Sequence, residues 1–166
     1  FRLVSNDPVL FLEHKSILFR KGPVPEEEYT IPFGQARVAR EGRDCTVVAV
    51  GGMVVKTLQA CDELAKEGVD VEVIDPRTVN PLDVDSVLAS VHKTGRLLIV
   101  DETFQPCGIG AEITAQVVDR GFGDLDAPLR RLNGAYAPTP YSPTLEAAIV
   151  PNVAGIVQAV QELMAE

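Results

Sequence analysis

The sequence has no run of eighteen apolar residues, and its first residues lack the charged-then-apolar order of a secretion signal. The expected setting is therefore cytoplasmic, or the mitochondrial matrix in a eukaryote, with no membrane contact. Basic residues are also short: 15 Lys and Arg stand against 24 Asp and Glu, giving a formal net charge of −9. The basic residues are scattered singly, so no stripe exists to neutralise phosphates, and nucleic-acid binding is excluded as an expectation. Cysteine is limited to Cys45, Cys61 and Cys107, an odd set without CxxC spacing. Cys45 and Cys61 fall on apolar faces and are expected to be buried thiols. Cys107 has no histidine or other base near it in sequence, so it is not assigned as a nucleophile. The two histidines, His14 and His92, lie far apart. HExxH, GxSxG, P-loop and DxDxDG patterns are all missing, which leaves hydrolase, kinase and metalloenzyme readings without residues.

What is present is a regular alternation of strands and helices in a chain of 166 residues, enough for one domain and an appendage. Its organising stretch is Arg96–Ile113, RLLIVDETFQPCGIGAEI. Leu97-Leu98-Ile99-Val100 has no polar alternation, which predicts a central strand of a parallel sheet covered on both faces. Asp101 and Glu102 follow at its carboxyl end, then Gly108 and Gly110 before a helix over Ala111–Arg120. Ligands of open parallel sheets meet the carboxyl ends of strands, so this loop is the first candidate site. GIG lacks full GxGxxG spacing and points first to close helix–strand packing. Asp101 and Glu102 are adjacent on a strand, so they point in different directions and make a poor acid–base pair.

Elsewhere, Pro8–Glu13 is an apolar strand that starts almost at once, as if it ended a domain lying before it, and Lys21–Pro32 has the composition of an extended linker. Ala36–Arg40 and Pro128–Leu132 carry arginines and are expected at the sheet edges, with Cys45–Val50, Val69–Ile74 and Leu97–Val100 in the middle. Val54, Leu58, Cys61 and Ala65 form one helix face, ended by Gly68. Val84, Val87, Leu88 and Val91 form another, with Asn80 as its cap, Pro81 in its first turn and Gly95 as its stop, so that His92 falls at its C-terminus. Ala137–Pro151, with four prolines, is expected to be a loop. Asn152 caps a last helix with Val153, Ile156, Val157, Val160 and Leu163 inward. The order β-β-α-β-α-β-α-β-α predicts a three-layer α/β/α open, mostly parallel sheet.

Seven blocks in order, PVLFLEHK, VPEEEYTIPFGQARV, VIDPRTVNPLD, KTGRLLIVDE, CGIGAEI, LDAPLRR and PTPYSPTLE, resemble the beta subunit of thiamine-diphosphate-dependent 2-oxoacid dehydrogenases, the pyruvate, branched-chain and acetoin enzymes. The resemblance spans essentially the whole chain. It implies a division into the tail of a pyrimidine-binding domain (1–20), a linker (21–34) and a transketolase-type C-terminal domain (35–166). It further implies a five-stranded sheet in order 1-3-2-4-5 with strand 1 antiparallel. The implied partners are an alpha subunit and a second beta subunit in a heterotetramer, and a lipoyl acyltransferase core. Thiamine diphosphate and magnesium belong to the full enzyme, and no catalytic residue of the family falls in this chain. A monovalent-cation loop before PVLFLE, usually built on an Asp-x-Asn pair, corresponds here to Ser5 and Asp7 with the Leu3 carbonyl, a potassium site with both polar positions changed.

The resemblance implies an assembly domain that is inactive alone. A different reading from the residues is a free-standing module that binds a small anion or nucleotide at Gly51, Gly52, Glu102, Gly108 and Gly110. A third, transketolase itself or another relative, is disfavoured by the VPEEEYTIPFGQA linker.

Overall fold

Alternation along the strands decides which layer each side chain joins. In the computed structural model, which describes residues 14–166, five strands form one sheet: β1 (Arg37–Arg40), β2 (Cys45–Ala49), β3 (Val71–Asp75), β4 (Leu97–Phe104) and β5 (Arg130–Gly134). Their order is β1-β3-β2-β4-β5, with β1 antiparallel to β3 and the other pairs parallel. This is the order and the edge placement expected above. Helices α1 (Met53–Leu64) and α5 (Val153–Met164) pack beside each other on one face, and α2 (Val84–Thr94) and α3 (Ile109–Gly121) on the other.

Residues of period two divide between the two cores. Val47, Leu98 and Val100 join Met53, Leu64, Ile156, Val160 and Leu163 in one. Val48, Leu97 and Ile99 join Val87, Val91, Ile113 and Val117 in the other. Leu97 through Val100 are all 0 % exposed, as a strand covered on both faces requires. Left-handed glycines stop the helical segments at Gly68 (φ 85°) and Gly95 (φ 68°). The edge arginines are tied to the helices beside them: Arg40 donates to Asp62 of α1 at 2.9 Å, and Arg130 to Glu162 of α5 at 3.1 Å and to Glu166.

The structure corrects four details. The cap of α2 is Asp83, not Asn80: Asp83 accepts from the Ser86 amide at 3.1 Å, the Ser86 hydroxyl at 2.7 Å and the Ala36 amide at 2.8 Å. Burial would raise its pKa, but those three donors outweigh it and hold the carboxyl below the ordinary range. Asn80–Pro81, a cis peptide, lies in the preceding loop. Second, the 137–151 segment is not wholly loop, since Ser142 and Pro143 start a short helix, α4 (Pro143–Ile149), none of whose residues is buried. Third, α1 turns Met53, Thr57, Ala60, Cys61 and Leu64 inward and leaves Ala65 exposed. Val54 and Leu58 are half-buried, because α1 packs on α5 as well as on the sheet. Fourth, β3 and β5 each begin two residues later than the pattern indicates.

Pro143–Met164 has the length, 22 residues, and mean hydropathy, 1.3, of a membrane span. It is two helices broken at residues 150–152, and the apolar face of α5 is spent on the core, where Ile156, Val160 and Leu163 are 0 % exposed. Core burial accounts for the inward face of α5, whereas α4 has no buried residue.

Candidate functional site

Strand β4 runs past its apolar stretch to Phe104, so its two acids sit on the strand and obey its alternation. Asp101, 3 % exposed, continues the side of Ile99 and turns toward α3. There it accepts from the Thr103 amide at 3.1 Å and the Thr103 hydroxyl at 2.5 Å. Glu102 continues the side of Val100 and turns toward the start of α1, where the His14 imidazole donates from Nε2 to its carboxylate at 2.9 Å. The two carboxylates are engaged on opposite faces and do not act together.

The glycines are explained by what approaches them. A Cβ on Gly52 would stand 2.5 Å from Glu102 Oε1 and 3.2 Å from His14 Nε2. A Cβ on Gly108 would stand 2.9 Å from the Thr103 hydroxyl, and one on Gly110 3.3 Å from Ile99 Cγ2. Gly51 has φ 57° and open space around it, the requirement of a turn. The structure thus brings Gly52 and Glu102 together and sets Gly108 and Gly110 on the other flank of β4. The Glu102 carboxylate also places negative charge beside Gly52, where the anion of the small-ligand reading would lie.

His14 was not joined to this loop by the sequence, since 88 residues separate it from Glu102. Its Nδ1 accepts from the Ser16 amide at 3.2 Å and the Ser16 hydroxyl at 2.8 Å, capping a 3-10 turn over Lys15–Ile17. The Ser16–His14–Glu102 chain therefore fastens the start of the described segment to β4. The second histidine, His92, bonds Asp124 at 2.9 Å on the surface.

Burial pushes the Cys45 thiol up to about 12 and the Cys61 thiol up to about 11, which keeps both protonated. Cys107 is exposed in the β4–α3 loop with φ 60°. Among the described residues no group of three or more His, Cys, Asp or Glu is placed to hold a metal ion. Leu3, Ser5 and Asp7, the candidate potassium ligands, and the Pro8–Glu13 strand lie outside the described residues.

Apolar surface gathers after β4 and β5. Phe104 and Tyr136 meet edge to face with centroids 5.1 Å apart, both exposed. Tyr141 and Leu145, in the segment that follows, are exposed as well.

Comparison with known proteins gives these features a context. The chain is 46 % identical over 160 residues to the acetoin:2,6-dichlorophenolindophenol oxidoreductase subunit beta of Cupriavidus necator, covering 96 % of this chain and 47 % of that protein. It is 43 % identical over 162 residues to the pyruvate dehydrogenase E1 component subunit beta of Bacillus subtilis, covering 96 % of this chain and 49 % of that one. The chain thus spans about half the length of these relatives. Among solved structures, a split-gene transketolase described as an inactive beta4 tetramer shares the fold with a TM-score of 0.71 and 24 % identity, over 82 % of this chain and 44 % of that one. A 2-oxoglutarate:ferredoxin oxidoreductase from Magnetococcus marinus shares it with a TM-score of 0.54 and 14 % identity, over 78 % of this chain and 19 % of that one. Residues 34–156 match the family described as Transketolase, C-terminal domain. With that match over most of its length and the sheet order to go with it, the chain belongs to the transketolase C-terminal domain family.

Proposed function

We propose that the intact protein is the beta subunit of the decarboxylating component of a 2-oxoacid dehydrogenase, and that this chain contributes its assembly domain. The observation that carries the proposal is 43 % identity to a pyruvate dehydrogenase E1 component subunit beta, supported by 46 % identity to an acetoin:2,6-dichlorophenolindophenol oxidoreductase subunit beta, each over 96 % of the chain. In this reading, residues 1–20 end a pyrimidine-binding domain, 21–34 form the linker and 35–166 the C-terminal domain. The partners are an alpha subunit, a second beta subunit and a lipoyl acyltransferase core, in the cytoplasm or the mitochondrial matrix. The exposed Phe104, Tyr136, Tyr141 and Leu145 are the kind of apolar surface that assembly covers.

The full enzyme would use thiamine diphosphate with magnesium for oxidative decarboxylation of the 2-oxoacid and transfer of the acyl group. The described residues do not fit that cofactor. Diphosphate with magnesium needs free oxygen ligands or a cradle of amides, and here Asp101 is engaged by Thr103 and Glu102 by His14. No step of the chemistry is assigned to this domain. Potassium, if used, would sit at Leu3, Ser5 and Asp7.

The test is co-expression of the intact subunit with its candidate alpha subunit. The proposal expects co-purification and a thiamine-diphosphate-dependent reduction of 2,6-dichlorophenolindophenol with pyruvate, acetoin or a branched-chain 2-oxoacid. An intact subunit that binds no alpha subunit, or an assembled complex that reduces the dye with none of these substrates, overturns it.

A further inference from the structure

We draw no further inference here: the strongest candidate, the Ser16–His14–Glu102 side-chain cluster at the carboxyl end of β4, belongs to the site already described, where its imidazole and carboxylate are engaged with each other and hold the start of the described segment in place.

Discussion

Lys93 of α2 reaches across to Glu72 of β3 and forms an ion pair with a carboxylate that is only 3 % exposed. Burial would raise the Glu72 pKa, but donors from Lys93, Ser90 and the Gly42 amide outweigh it and hold the carboxyl below the ordinary range. On Lys93, the bond to Glu72 holds the ammonium above its ordinary range. A depressed carboxyl contributes stability that is present above its unfolded pKa and lost as pH falls through the folded one. A raised lysine contributes stability that is present below its unfolded pKa and lost as pH rises through the folded one. Glu72→Gln should therefore flatten the acid limb of stability against pH, measured by urea unfolding. Lys93→Met, which leaves the carboxylate without its counter-charge, should cost about 1–3 kcal/mol at neutral pH. An unchanged acid limb in Glu72→Gln would contradict the assignment.

At Ile99, 0 % exposed in the central strand, an aspartate would be an unpaired buried charge. Ile99→Asp should lose several kcal/mol, comparable with the whole stability of a small domain, and show no cooperative thermal transition. A soluble variant that melts cooperatively near the wild type would remove β4 from the sheet centre.

Adding a methyl at Gly52 displaces the Glu102 carboxylate and crowds His14. Because the displaced atoms are side-chain ends, Gly52→Ala should leave the domain folded but release the 14–20 segment from β4. Hydrogen exchange should rise there and not in β2, and Glu102→Ala should reproduce the effect. Protection unchanged in both variants would show that the His14–Glu102 bond does not hold the segment.

Thiol labelling separates the three cysteines. Cys107 is exposed and should react in the native protein, whereas Cys45 and Cys61, buried and with pKa values pushed up to about 12 and about 11, should react only on unfolding. Labelling of two or more thiols per native chain would contradict the burial of Cys45 and Cys61.

The chain alone should bind no thiamine diphosphate, with or without magnesium, because its strand-end carboxylates are already engaged. Titration calorimetry gives the outcome, and heat consistent with micromolar binding would favour the small-anion reading at Gly51, Gly52, Glu102, Gly108 and Gly110.

Both edges were legible because each strand declares its burial in its composition: LLIV is apolar throughout, while RVAR and PLRRL carry charges that only an edge accommodates; the order of the three inner strands came from the family resemblance. Interactions carried by polar side chains were not. Thr46, Ser90 and Thr94 form a buried hydroxyl cluster between β2 and α2, with 2.7 Å from Thr46 to Ser90 and 2.6 Å to Thr94. Apolar periodicity does not register it, since Ser and Thr read as solvent-facing on a helix. Asp83 was hidden by the more familiar Asn80-Pro81 signal, although Asp83-x-x-Ser86 holds the true cap. Glu102 was legible as a strand-end acid, but its partner His14 was not, because the contact depends on where the chain enters the domain.

The ties of Arg40 and Arg130 to helical carboxylates bear on how copies of this domain can meet. Each edge strand holds a charged side chain against the neighbouring helix, and β1 is four residues long with a register shift between Val38 and Arg40. Short, irregular and charged borders are poor templates for another strand. Stacking domains side by side into one continuous sheet is therefore disfavoured, so any contact between copies is left to the helical faces and the loops above the strand ends. The sheet is thus a finite plank whose size is set within the chain, and an assembly built from it can close at a fixed number of subunits without elongating.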